Sequence, residues 1–267
     1  VDLRPVAFAA GLARVAIGCA VRCAHGSRAG RGPGRAYDRG MSHDPFARLR
    51  IEYGDAPLPF EAAPAAPLPL LAQWLDEAAA AGVGEPNGMA LATVDADGQP
   101  HCRVVLCKGL DERGIAFFTN RQSDKGAQLA GNPRAAATFW WPAPRNRQVR
   151  LTGRIELAAD AESDAYFHGR PRRAQLCSAA SPQSRVVRDR AELEGFVDAL
   201  AARVGDGPVP RPAHWGGYRL VPEAVEFWQG RDGRLHDRLR YRRAAARGTA
   251  AGEAAAGGAW SRERLAP

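Results

Sequence analysis

The chain is almost without lysine: of its 37 basic residues only Lys108 and Lys125 are lysines. A composition that uses arginine for generic positive charge is expected to keep lysine where a compact ammonium matters, chance being the alternative. Cysteine is scarce and odd in number, at Cys19, Cys23, Cys102, Cys107 and Cys177. No two form a CxxC pair, which argues against a disulfide framework and fits a reducing cytoplasm. Cys19, Cys23 and His25 are followed by no second ligand cluster, so no metal site is expected. Also absent are long apolar runs, which leaves no membrane-spanning helix to expect. A Gly-rich strand–turn–helix fingerprint is missing, so a Rossmann dinucleotide site is not supported. No GxSxG or Cys–His signature points to acyl transfer.

What is present reads as soluble and globular: 267 residues, 45% hydrophobic and 25% charged, enough for one domain or two small ones. The net charge is +8 and the pI about 9.8, which would suit nucleic acid or a site for phosphorylated molecules. Seven arginines and two aspartates in residues 1–40 supply +5 of that +8, leaving +3 for the rest. The basic character is mostly terminal, and no nucleic-acid partner is expected.

Residues 1–40 are Ala/Gly/Arg-rich and lack periodicity, and Met41 opens an ordinary segment. They are read as a disordered or mis-assigned extension. Pro57–Pro69 is a proline-rich linker. A helix is expected over Leu68–Ala81, with Leu68, Leu71, Leu75 and Ala78 on one stripe. Strands follow at Met89–Val94, His101–Lys108, Ile115–Thr119, Arg134–Trp141 and Gln148–Leu157, with turns at Asp95–Gly98 and Asp111–Gly114. A short helix capped by Ser123 interrupts them. Asp160 is expected to cap a helix running to His168, and Pro171 to start another. Arg190–Val204 is a helix with Leu193, Phe196, Val197 and Leu200 inward. Late strands are expected at Tyr218–Val221, Val225–Gln229 and Leu239–Arg242. Residues 244–258 form a low-complexity insertion, and 259–267 return to the domain. Short antiparallel strands with helices between them indicate a small β-barrel with peripheral helices, an α+β fold.

Four clusters can carry chemistry. Arg103-Val104-Val105-Leu106-Cys107-Lys108 puts a cation at each end of a strand. Opposite parity places the two on different faces, to serve two anions or one cleft from either side; solvated charges on an edge strand are the alternative. Phe118-Thr119-Asn120 with Ser123 and Lys125 at a helix start offers N–H groups, a hydroxyl and an ammonium to a phosphate, or is an ordinary cap. Tyr166 and Arg170, four residues apart, share a helix face and can grip a phosphate, or form a surface charge cluster. Arg234, His236 and Arg238 alternate on what reads as an extended segment beside Trp228, and can converge on a planar ring. Cations for phosphates with aromatic groups for a ring point to a phosphorylated aromatic cofactor, a phosphorylated substrate, or both.

These clusters resemble the pyridoxine/pyridoxamine 5'-phosphate oxidase family. The most specific stretches are Trp215-Gly216-Gly217-Tyr218-Arg219, Glu226-Phe227-Trp228-Gln229-Gly230, Arg234-Leu235-His236-Asp237-Arg238 and the ending Arg264-Leu265-Ala266-Pro267. The resemblance implies a split β-barrel of the FMN-binding type over 67–243, a homodimer, and two FMN sites at the subunit interface. FMN would be held by Arg103, Val104, Val105, Leu106, Cys107, Lys108, Phe118, Thr119, Lys125, Gln148, Gln183, Ser184, Trp228 and Arg238. The substrate would meet Arg50, Tyr53, Lys108, Tyr166, Arg170, Ala174, Arg234, Leu235 and His236, with Arg234 and His236 catalytic. Residues 41–66 would include the family's lid, at Arg50-Ile51-Glu52-Tyr53. Oxidation of pyridoxamine or pyridoxine 5'-phosphate by O2, with release of H2O2, would yield pyridoxal 5'-phosphate. A relative acting on another ring, or a non-catalytic binder of flavin or pyridoxal phosphate, are the alternatives. Three positions depart from the family: Asp124 replaces a frequent basic residue, Ala174 a usual serine at the substrate phosphate, and Ala179 a usual tryptophan.

Overall fold

Apolar and polar residues alternating with a period of two build most of the molecule, because successive side chains on a strand point to opposite faces. The computed structural model describes residues 52–244 and 259–267. The extension over 1–40, Arg50 and Ile51 of the lid, and all but Ala244 of the low-complexity insertion lie outside the described residues.

Among the described residues nine strands form one antiparallel sheet. They are β1 (Gly88–Val94), β2 (Pro100–Leu106), β3 (Gly109–Asp111), β4 (Gly114–Asn120), β5 (Arg134–Trp141), β6 (Arg147–Leu157), β7 (Trp215–Gln229), β8 (Asp237–Arg243) and β9 (Trp260–Arg264). The main order is β2-β1-β5-β6-β7-β4-β3, with β8 on β7 and β9 on β8. In β5, Ala135, Ala137, Phe139 and Trp141 face the core, while Trp140 stays exposed on the other side.

The ends of that order meet. β2 pairs with β1 as far as Leu106, and the Cys107 N–H still donates to the Asn87 carbonyl at 2.8 Å. The next N–H, of Lys108, donates to Ala116 of β4 at 2.8 Å. The chain changes partners between these two residues, and that step closes the sheet into a barrel.

β7 splits the barrel. Trp215–Leu220 pairs with β4 and Ala224–Gln229 with β8, so two strands share successive halves of one edge. Pro222 between them has no N–H for a ladder, and the register against β6 shifts between Thr152 and Gly153. A Cβ on Gly153 would lie 2.1 Å from the Val221 carbonyl oxygen, so this bulge requires glycine. The two strands expected at Tyr218–Val221 and Val225–Gln229 are therefore halves of one 15-residue strand.

Helix α1 (Pro67–Ala80) packs beneath the barrel. Its Trp74, 1% exposed, meets Phe227 edge-on at 5.1 Å. Arg147 stacks over Trp74 at 4.2 Å and bonds Gln229 (2.8 Å) and Glu77 (2.5 Å). Three further helices, α3 (Asp160–His168), α4 (Arg172–Ala180) and α5 (Arg190–Val204), surround a second core of Phe167, Leu176, Leu200, Val209 and Trp215. Two expectations change here. Ala159, not Asp160, is the N-cap of α3, and the Asp160 carboxylate pairs with Arg211 at 3.0 Å. Phe196 of α5 is exposed, because Val197 and Leu200 face the second core instead. No helix among the described residues is long and apolar enough to cross a membrane.

Candidate active site

In β4 the alternation sends Phe117 into the core and Phe118 to the other face. The Phe118 ring stacks on Tyr166 of α3 at 4.1 Å and on Trp215 at 5.7 Å. A cleft of about 680 Å³ opens against this stack. Arg103, Val104, Val105, Leu106 and Lys108 line one wall. Phe118, Thr119 and Asn120 form the floor with Lys125, from the first turn of α2 (Asp124–Gly131). Tyr166, Arg170, Ala174, Cys177, Ser178, Ser181, Gln183 and Trp215 form the opposite wall. The chain's two lysines thus line one cleft. Arg103 and Lys108 reach it together despite their parity, because the change of partner at Cys107 interrupts the strand between them.

The cleft carries four cations, Arg103, Lys108, Lys125 and Arg170, and among the described residues none is ion-paired. Lys125 Nζ donates only to neutral oxygens: Gln183 Oε1 (2.9 Å), Thr119 Oγ1 (3.2 Å) and Ser123 Oγ (3.3 Å). Arg103 donates to Thr93 Oγ1 (2.6 Å), Gln128 Oε1 (3.0 Å) and the Leu91 carbonyl (3.3 Å). Arg170 donates to Ser178 Oγ (2.8 Å) and lies over the Trp215 ring at 5.3 Å. Burial, and secondarily the Arg103 charge, push Lys125 below its ordinary pKa. Elsewhere the arginines of low exposure, Arg147, Arg211 and Arg219, each meet a carboxylate. Arg103, Lys125 and Arg170 are partly buried, while Lys108 is exposed, and partly buried cations without counter-charges are costly unless an anion joins them. The donor set fits a phosphate, and the Phe118–Tyr166–Trp215 stack adds aromatic surface beside it. Asp124 is exposed, and its backbone N–H donates to Ser184 Oγ at 3.3 Å.

A second cluster forms around Trp228. Its ring lies 4.7 Å from His236 and 5.9 Å from Tyr53, and Tyr53 meets His236 edge-on at 5.4 Å. The Arg234 guanidinium lies 5.7 Å from the Tyr53 ring. The Arg231 N–H donates to His236 Nδ1 at 3.1 Å, so the neutral imidazole carries its proton on Nε2. Burial, and then the Arg234 charge, lower the His236 pKa from its ordinary value.

The extended alternation expected over Arg234, His236 and Arg238 is not what folds. Asp232–Arg234 is a 3-10 turn, with Gly233 at φ +65° and Arg234 at φ +63°. Arg234 and Leu235 are exposed, and Arg238 on β8 is bonded to Glu226 at 2.9 Å and to the Ala266 carbonyl at 2.9 Å.

The structure therefore sorts the expected residues into two groups. Arg103, Val104, Val105, Leu106, Lys108, Phe118, Thr119, Lys125, Tyr166, Arg170, Ala174 and Gln183 line the cleft. Tyr53, Gln148, Trp228, Arg234, Leu235, His236 and Arg238 do not; Gln148 sits opposite Trp228 in the ladder. Ser184 lies behind Gln183, against Asp124. Cys107 turns its side chain into the core, where burial pushes the thiol up to about 11. The sequence reading assigned no role to Cys177, Ser178 and Ser181, which line the wall. Their spacing from Ala174, at three, four and seven residues, is that of one helix face and was the available signal.

Residues 75–205 match the family model described as pyridoxamine 5'-phosphate oxidase. Residues 215–267 match that of the pyridoxine 5'-phosphate oxidase C-terminal dimerisation region. A pyridoxine/pyridoxamine 5'-phosphate oxidase of Pseudomonas paraeruginosa is 53% identical over 224 residues, which is 83% of this chain and 98% of that relative. PhzG of Burkholderia lata, solved in complex with tetrahydrophenazine-1-carboxylic acid, superposes with a TM-score of 0.71 at 33% identity, over 80% of this chain and all (100%) of that one. A pyridoxamine 5'-phosphate oxidase-related, FMN-binding protein of Nostoc punctiforme shares the fold, with a TM-score of 0.60 at 19% identity over 77% of this chain and 100% of its own. One matched model spans nearly all of the cleft and the other the Trp228–His236 cluster, and on these grounds the chain belongs to the pyridoxine/pyridoxamine 5'-phosphate oxidase family.

Proposed function

We propose that the protein oxidises pyridoxamine and pyridoxine 5'-phosphates to pyridoxal 5'-phosphate, with FMN as cofactor and O2 as acceptor. The observation that carries this reading is the cleft with four cations and no carboxylate partner among the described residues. When bound, FMN supplies the two-electron oxidation, and O2 leaves as H2O2. With the amine substrate, water then releases ammonia.

The chain's own residues bind and orient. Lys125, Thr119, Gln183 and Arg103 hold the FMN phosphate, with Ser184 behind them. Phe118 and the Val104–Leu106 backbone flank the cofactor. Lys108, Tyr166 and Arg170 anchor the substrate phosphate, with the Arg170 guanidinium over the Trp215 ring. Burial raises the Tyr166 pKa, so its phenol stays protonated and donates. Arg234 and neutral His236 orient the ring and the reacting substituent, His236 through its Nε2–H, while Gln148, Trp228 and Arg238 complete the flavin site.

These last residues do not line the cleft of their own chain, so the reading needs two copies, each lending its Trp228–His236 cluster to the other. The outer sheet face supports this: Val104 is 73% and Trp140 49% exposed, and residues 215–267 match a dimerisation region. Positioning of this kind can supply a large part of a rate enhancement.

The test is visible absorbance of the purified protein followed by aerobic addition of pyridoxamine 5'-phosphate. Flavin bands with H2O2 and pyridoxal phosphate appearing together are expected. Flavin without turnover would move the substrate to another ring, as the likeness to PhzG suggests. No flavin after FMN is added back would overturn the reading.

A further inference from the structure

Arg170 lies in the turn between α3 and α4, outside regular structure, yet it is held from two sides. The Gln175 side chain, 9% exposed, donates to the Arg170 carbonyl at 2.7 Å and to the His168 carbonyl at 3.2 Å, which staples the turn to α4. One turn further along the same helix, Ser178 Oγ accepts from Arg170 Nη1 at 2.8 Å. Ala174 and Ser178 are four residues apart, share a face of α4, and both line the cleft. The Ala174 methyl has nothing to donate. The Ser178 oxygen accepts from Arg170, so its own O–H remains free to donate, and Ser178 lines the cleft.

We propose that Ser178 is a substrate-phosphate residue of this protein: it positions the Arg170 guanidinium and donates its hydroxyl hydrogen to the anion that Arg170 holds. The neutral donor missing at Ala174 is thus supplied one helical turn later. This rests on the reading that the cleft takes a phosphorylated substrate beside FMN.

The experiment uses FMN-loaded protein, as Ser178→Ala, Ser178→Thr and Ser178→Ala/Ala174→Ser, with flavin content as the check that each folds. Two quantities are read: KM and kcat for pyridoxamine 5'-phosphate, and calorimetric binding of inorganic phosphate to the holoprotein. Loss of one or two hydrogen bonds predicts that Ser178→Ala raises KM about tenfold and weakens phosphate about tenfold. A kcat change within about twofold is expected, since binding and not the oxidation step is touched. Ser178→Thr keeps the hydroxyl and should restore both, and Ala174→Ser should restore part. Unchanged phosphate affinity in Ser178→Ala, or a fall in kcat with KM unmoved, would overturn the proposal. Phosphate binding does not depend on which ring is oxidised. A wild-type protein inert toward pyridoxamine phosphate whose phosphate affinity still falls in Ser178→Ala would defeat the substrate reading and leave the role of Ser178 standing.

Discussion

The Leu58 N–H donates to Asp237 Oδ2 at 2.9 Å across 179 positions of sequence. The same carboxylate takes Arg231 at 3.2 Å and Arg264 at 2.8 Å. One side chain, 13% exposed, thus ties the segment that follows Tyr53 to the His236 loop and to β9. Asp237→Ala should remove all three bonds and leave two arginines without this partner. A loss of about 2–3 kcal/mol is expected from bonds to a charged group. Urea unfolding of the FMN-loaded protein measures it, and an unchanged midpoint would refute the role of Asp237 as a tie.

Arg147 is the most enclosed ion-pair partner beneath the barrel, 6% exposed, with Glu77 at 2.5 Å. Burial alone would raise the Glu77 pKa, but hydrogen bonds from Gln73 and Arg147 together hold it below the ordinary carboxylate value. A carboxylate depressed in the folded state stabilises above its unfolded pKa, and that contribution disappears as pH falls through the folded value. The wild type should therefore lose stability below about pH 4.5. Arg147→Met keeps apolar contact with Trp74 and should flatten that acid slope. Thermal unfolding from pH 7 to 3 reads the difference, and parallel curves would count against it.

His236 has its pKa lowered by burial first and by Arg234 second. It is neutral at physiological pH, and acidification below its ordinary value protonates Nδ1 and breaks the bond from the Arg231 N–H. Arg234→Gln removes the smaller cause, so the His236 pKa should rise part of the way. The acid limb of the pH–activity profile, if His236 controls it, should rise in step. Proton NMR of the imidazole follows the titration directly. A pKa that stays put or falls would remove Arg234 as an electrostatic influence.

Lys125 pairs with no carboxylate within the cleft and has its pKa lowered by burial. Lys125→Met should weaken FMN by roughly 10- to 100-fold, the range for one charge-assisted hydrogen bond. Flavin fluorescence titration measures the affinity. Equal affinity in both proteins would place the FMN phosphate elsewhere.

Much of the scaffold was legible locally. Strand β5 spans Arg134–Trp141 and helix α5 Arg190–Val204, as their periodicities predict. The strands expected at Tyr218–Val221 and Val225–Gln229 leave a gap at Pro222–Ala224; in the fold one strand runs through it, with a bulge in its pairing to β6. The short β3 has three residues, too few to show a period. Arg103 and Lys108 were expected on opposite faces because parity assumes one continuous strand.

By itself the sequence determined most of the strands and the helices, the cationic and aromatic chemistry of the site, and the two lysines as residues to watch, since these follow from local period and composition. Only the tertiary structure decided that both lysines share a cleft, that Ser178 holds Arg170, and that the Trp228–His236 cluster stands apart from that cleft. Those outcomes depend on which distant groups meet through space. Closure at Cys107–Lys108, and four cleft cations that among the described residues form no ion pair, are relations between remote segments, which no local period encodes.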